Sequence, residues 1–258
     1  MVFYFTATGN SLAVARELDT ELVSIPQELH KERPLRYEAD AIGIVAPTYS
    51  GLMPRIVRRF LKMAQFVTPY FYIVMTYGMN PSVAEKEAVA YGEHIGLRVD
   101  YAASIQMVDN FLFAFDMNDQ MAIDKEIPRQ LDALKAHIAN RVKGYREPSE
   151  QQLKGFAMVS ERNCRWPEMT DGTQITVTDK CVGCGICAKV CPLGRFYVGE
   201  NHKAHRYSEY CEFCMACAHA CPQKAITLSV QDKNPEARYR NQDVSLADII
   251  RSNRVSSD

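Results

Sequence analysis

The first half of the chain alternates short apolar runs with stretches in which apolar residues recur every three or four positions. Val2 to Phe5 is an apolar, β-prone run that ends in a Thr/Gly/Asn turn. From Asn10 a helical spacing begins, with Leu12, Ala15 and Leu18 on one side. Leu22 to Ile25 predicts a second strand, ended by Pro26. Ala41 to Ala46 is continuously apolar, as in a strand buried on both faces. Pro54 stands where a helix starts, and Ile56, Val57, Phe60, Leu61 and Ala64 follow at helical intervals. Tyr70 to Met75 predicts a fourth strand, Ser82 to Ile95 a helix, and Val99 to Val108 a fifth strand. One last helix is expected over Asp119–Lys143, with Ile123, Ile127, Leu131, Leu134 and Ile138 spaced for packing. Between the second and third strands, residues 26–40 leave room for a short helix or none. This order predicts an α/β domain over residues 1–146, a doubly wound parallel sheet of five strands.

Residues 147–172 break the rhythm and read as a linker. Residues 173–230 carry an internal repeat that starts at Cys181 and again at Cys211, in a small domain of its own. Residues 231–258 are polar and read as a tail, with one short helix over Ser245–Arg251 capped by Ser245 and room to dock back on a domain.

Composition narrows the picture. Apolar residues are 47% and charged residues 24% of the 258, a globular balance. A formal net charge of −1 argues against a general nucleic-acid binder. No stretch approaches the roughly 20 apolar residues of a membrane span. Val2-Phe3-Tyr4-Phe5 is too short for a signal-peptide core and lacks a basic leader, so a cytoplasmic, thiol-reducing location is expected. All nine cysteines fall after residue 163, and in that compartment they point to metal rather than disulfides.

The repeat reads Cys181-x-x-Cys184-x-x-Cys187-x-x-x-Cys191-Pro192 and Cys211-x-x-Cys214-x-x-Cys217-x-x-x-Cys221-Pro222. Two-residue gaps let a loop curl round an iron–sulfur cubane, while the fourth cysteine, expected in a helix, points away. Zinc ribbons also use paired C-x-x-C, but with four ligands in two separated pairs rather than four cysteines in eleven residues, repeated. Gly183, Gly185, Ala216 and Ala218 suit a loop packed on sulfide. Cys164 has no place in the pattern and reads as a packed or idle thiol. His202, His205 and His219 read as solvated, and His202, Lys203, His205 and Arg206 together suit an acidic partner.

In the first domain, Thr6-Ala7-Thr8-Gly9-Asn10-Ser11 brings hydroxyls and backbone N–H groups to a helix N-terminus, an anion seat suited to phosphate. Pro47-Thr48-Tyr49-Ser50-Gly51 and Thr76-Tyr77-Gly78-Met79-Asn80 follow the third and fourth strands, where open α/β sheets bind ligands. Each offers an aromatic ring beside glycine. Either tyrosine alone would read as a half-buried loop residue.

Thr6 to Ser11 resembles the Ser/Thr-x-Thr-Gly-Asn-Ser/Thr phosphate loop of flavodoxins, and Tyr49 and Tyr77 stand in loops similar to those that sandwich the flavin ring. The eight repeat cysteines resemble those of bacterial two-cluster ferredoxins, and the module order resembles flavodoxin–ferredoxin fusion proteins of anaerobic bacteria and archaea. The resemblance implies a flavodoxin-like sheet holding FMN on these three loops, then a small α+β ferredoxin-like domain with two 4Fe–4S clusters. One cluster would take Cys181, Cys184, Cys187 and Cys221, the other Cys191, Cys211, Cys214 and Cys217. It implies an electron carrier between donor and acceptor proteins that relays electrons among clusters and FMN. The alternatives are an FMN-dependent reductase of a small substrate, and a redox sensor with residues 231–258 as its binding tail. Flavodoxins are strongly acidic and this chain is nearly neutral. The apolar segment 107–117 (Val108, Phe111, Leu112, Phe113, Phe115) is left to cover the flavin, pack on the second module, shape a pocket or join the core.

Overall fold

A computed structural model of the chain describes residues 1–164, 172–207 and 210–254, with backbone alone for 161–164. The first domain runs β1 (Val2–Tyr4), α1 (Asn10–Leu18), β2 (Leu22–Ser24), α2 (Ile25–Glu28), β3 (Arg36–Glu38), β4 (Ile42–Pro47), α3 (Arg55–Met63), β5 (Gln65–Val67), β6 (Phe71–Tyr77), α4 (Ala84–His94), β7 (Tyr101–Gln106), α5 (Met117–Ala122) and α6 (Ile127–Ala139). Five strands form one parallel sheet in the order β2-β1-β4-β6-β7. Counted within the sheet, that is 2-1-3-4-5, the order of flavodoxin-like folds. The continuously apolar β4 and β6 lie at its centre with Ile44 beside Ile73, buried on both faces. Leu12, Val14, Ala15 and Leu134 from α1 and α6 cover one face; Ile56, Val57, Phe60, Ala84 and Ala88 from α3 and α4 cover the other.

Three expectations for this half change. The single helix over 119–143 is two, because Glu126 turns left-handed at φ 48° and Pro128, in the first turn of α6, has no N–H to continue an earlier helix. Ile123 falls in the break and is exposed. β3 and β5, not foreseen, pair in parallel beside an aromatic cluster of Phe3, Tyr37, Phe60 and Phe66. The linker holds a helix, α7 (Glu150–Cys164). The side chain of Cys164 lies outside the described residues.

The cysteine-bearing module is small. β8 (Ile175–Val177) pairs antiparallel with β11 (Ile226–Leu228), joining its two ends. α8 (Ile186–Val190) packs against α9 (Ala216–Ala220), and a hairpin of β9 (Phe196–Val198) and β10 (Ala204–Arg206) stands between the repeats. Segment 107–117 settles here: Leu112 and Met117 are buried with Ile175, Phe196 and Ile226, with Val108, Phe111, Phe113 and Phe115 packed against them. The polar tail is largely seated on the protein. Ala237, Tyr239, Val244, Ile249, Ser252 and Asn253 are buried, and α10 (Leu246–Asn253) is capped by Ser245.

Candidate metal centre

Two cavities of similar size are built by the repeat. Cys181, Cys184, Cys187 and Cys221 line the first; Cys191, Cys211, Cys214 and Cys217 line the second. The fourth cysteine of each run therefore crosses to the other run's cavity. It does so from the end of a short helix rather than from inside one: α8 and α9 each carry the third cysteine, and Cys191 and Cys221 are their extended C-caps.

The backbone is shaped to these sulfurs. Gly183 and Gly185 are left-handed at φ 71° and 72°, and their counterparts Phe213 and Met215 adopt the same turn at 52° and 59°. Those turns aim N–H groups at thiols. Gly183 N donates to Cys181 Sγ (3.4 Å) and Phe213 N to Cys211 Sγ (3.3 Å). Arg195 N donates to Cys191 Sγ and Ala225 N to Cys221 Sγ, both at 3.3 Å. Ala204 N adds a bond to Cys181 Sγ (3.3 Å) that the second cavity's first cysteine lacks among the bonds described. Burial pushes the Cys187 thiol up to about 11 and that of Cys217 well above its usual value; a metal ligated by these sulfurs would replace their protons. Four sulfurs round each cavity, with N–H donors behind them, fit a 4Fe–4S cubane.

A 4Fe-4S dicluster domain family matches residues 172–226. An uncharacterized ferredoxin of Methanocaldococcus jannaschii is 39% identical over 66 residues, covering 24% of this chain and 86% of that one. The chain belongs to the ferredoxins, fused behind a flavodoxin-like fold. A second uncharacterized ferredoxin of the same organism is 34% identical over 63 residues, 23% of this chain, and the chain spans only 41% of that relative's length. Two solved structures overlie the first half. The Trp repressor binding protein of Bacillus subtilis is 12% identical over 52% of this chain and 94% of its own (TM-score 0.33). A structure described as a flavoprotein of Bacteroides uniformis is 18% identical over 54% and 96% (TM-score 0.36). Likeness at that level adds nothing to the strand order.

The ferredoxin module sits on the carboxyl edge of the sheet. Glu212, between two ligand cysteines, is buried and accepts from the N–H groups of Arg55 (3.1 Å) and Ile56 (2.6 Å) at the start of α3. Burial raises its carboxyl, while the Tyr210 hydroxyl and those two N–H groups pull it back. The Arg55 guanidinium lies over the Tyr210 ring, 4.9 Å from its centroid. Tyr49, expected under a flavin, packs beside Cys214, its hydroxyl buried without a hydrogen-bond partner among the described residues. His219 is not solvated: Nδ1 accepts from Tyr239 N (3.0 Å), which leaves the ring proton on Nε2 to donate to Asn110 O (2.8 Å). Burial lowers its pKa to about 4. His202 is exposed and His205 half-exposed, as expected.

The three flavin loops do come together, Thr48 N bonding Thr76 O and the Ser11 hydroxyl meeting that of Thr76, both at 2.9 Å. Their side chains, however, have partners within the protein. Thr6 Oγ1 accepts from Gly9 N (3.2 Å) and Thr8 Oγ1 from Asn110 Nδ2 (2.7 Å). Asn10 donates to Val108 O (3.0 Å) and accepts from the Tyr239 hydroxyl (2.6 Å). All six residues, Ala7 included, are buried. In the second loop Pro47 and Thr48 are half-buried, and Ser50 and Gly51 make a left-handed turn against Ser82 and Phe156. In the third, Tyr77 is half-buried, Met79 N donates to Asp109 Oδ2 (3.0 Å), and Asn80 accepts from Ser82 N (2.8 Å). Asp109 also fills the space above Gly78, its atoms 2.1–2.3 Å from where a Cβ would stand. The side chains of the first loop thus meet protein groups on every side that the bonds describe. Asn110, Tyr239 and Asn241 had no signal in the sequence, since polar residues in a loop and a tail carry no periodicity.

Proposed function

We propose that the chain is an electron carrier that exchanges single electrons with a redox partner through its two 4Fe–4S clusters, the flavodoxin-like domain serving as their seat. The observation that carries this reading is the pair of cavities lined by exchanged cysteines. A bound cluster supplies a centre that gains and returns one electron at a time. The protein holds the sulfurs, donates N–H groups to them and sets how far each cavity stands from water. Cys184 is exposed at the first cavity beside Val182, and Tyr197, Val198 and Tyr207 on and after the β9–β10 hairpin are exposed as well. The second cavity faces Tyr49 and α3. The partner therefore docks over the β9–β10 hairpin, where His202, Lys203, His205 and Arg206 favour an acidic rim.

An extension of the path to FMN, or to a flavin-dependent reduction of a small substrate, needs a phosphate loop open to a ligand; here all six of its residues are buried. No helix among the described residues is long and apolar enough to cross a membrane. A thiol-reducing compartment such as the cytoplasm suits the eight ligand cysteines. The test is anaerobic purification with iron, sulfide and zinc quantified, then stepwise reduction followed by EPR. About eight irons per chain and two interacting cluster signals are expected. Zinc, or iron without sulfide, overturns the reading.

A further inference from the structure

The Thr6–Ser11 loop keeps the composition of a phosphate seat, yet the groups around it are the protein's own. From one side comes the 108–110 turn, with Val108 O on Asn10 and Asn110 Nδ2 on Thr8. From the other comes the C-terminal stretch. The Tyr239 hydroxyl and Asn241 Nδ2 (3.3 Å) both donate to Asn10 Oδ1, and Asn241 N donates to Thr8 O (2.8 Å). Gly9, at φ 106°, has no room for a side chain: a Cβ there would stand 2.9 Å from the Cβ atoms of both Asn241 and Val244. Asn253, fully buried, donates to Thr6 O (2.9 Å) and to Val190 O of α8 (3.2 Å).

We infer that residues 239–253 fill the flavin-phosphate seat of the flavodoxin-like domain, so that this domain grips its own C-terminal stretch and takes up no FMN. A phosphate entering the buried loop would have to displace Asn110 from the Thr8 hydroxyl and move Asn241 and Val244 from above Gly9. An isoalloxazine ring would meet Asp109 over Gly78, and Tyr49 already committed to the second cavity. The same stretch has a structural task that explains its place. Arg238 Nε donates to Ala218 O (3.1 Å), Tyr239 N to His219, and Asn253 to α8, so both cluster-bearing helices are tied to the phosphate loop. The Thr6 and Thr8 carbonyls, the Asn10 side chain and the left-handed Gly9 here join the loop to the C-terminal stretch.

The experiment uses the full-length protein purified anaerobically with its clusters. It is mixed with excess FMN and desalted; retained flavin, FMN fluorescence and hydrogen exchange of residues 239–253 are then measured with and without FMN. The expected result is no retained flavin, unquenched fluorescence, and slow exchange over 239–253 that FMN leaves unchanged. One FMN retained per chain overturns the inference, whether or not the stretch becomes exposed, and so does rapid exchange of 239–253 in the untreated protein. In the double variant Tyr239→Phe, Asn241→Ala, iron content should hold while exchange over 239–253 rises about tenfold, for two lost hydrogen bonds. Unchanged exchange there means that the stretch is not held by Asn10, and also overturns it.

Discussion

Gly183 and Tyr49 show how much a single position decides here. Gly183 is left-handed, and a Cβ on it would stand 2.2 Å from the carbonyl oxygen of His202, a backbone atom that cannot swing aside. Gly183→Ala is expected to open the first cavity and spare the second, taking iron from about eight to about four per chain; full retention of iron would contradict that. Tyr49 has a buried hydroxyl beside Cys214 without a partner among the described residues, and burial above all pushes its pKa well up. As a neutral donor next to the second cavity it favours the more negative, reduced cluster. Tyr49→Phe should lower one of the two midpoint potentials by about 40 mV, the equivalent of a hydrogen bond of ~1 kcal/mol, and leave the other in place. Redox titration followed by EPR reads both. Gly183 was legible as part of a loop packed on sulfide; the role of Tyr49 was not, since it stood in a loop that resembled a flavin clamp.

Elements were legible where an apolar period ran unbroken. β4, β6, α1 and α3 lie where the pattern placed them, because a strand buried on both faces and a helix with one buried stripe leave distinct marks. α5 and α6 read as one helix because Ile123 kept the period across a break that Glu126 and Pro128 impose. The helix at the C-terminal end was announced by its cap. Ser245 Oγ accepts from Asp248 N (3.1 Å), and Ser245 N donates back to the Asp248 carboxylate (3.0 Å). The Ser245 hydroxyl bond is the first of several contacts that hold the Asp248 carboxyl well below its usual range. With a folded pKa below the unfolded value of about 3.9, this box contributes stability above that pH and loses it as pH falls through the folded pKa. Ser245→Ala should cost about 1 kcal/mol of local stability at pH 7, read as faster amide exchange across Ile249–Asn253, and the difference from the parent should shrink in acid.

At the scale of the whole molecule, one carboxylate and one C-terminal stretch join two modules that the sequence presents as separate. Glu212 places a negative charge on the first two N–H groups of α3, where the helix dipole favours it. Glu212→Ala removes that charge and strands both donors; a loss of about 2 kcal/mol in the contact is expected, seen as faster exchange of the Arg55 and Ile56 amides, with iron content as the check on folding. The sequence by itself determined the parallel five-stranded sheet and the two cysteine cages. Both are written in local terms, as apolar runs of fixed period and as ligands a few residues apart on one loop. Only the tertiary structure decided what the sheet edge holds. Asn110, Tyr239, Asn241 and Asn253 reach Thr6–Ser11 from about 100 to 250 positions away, and no spacing records a contact between segments that remote. A phosphate loop read locally is a set of donors; whether they await a ligand or already bond the protein depends on which distant residues fold over them.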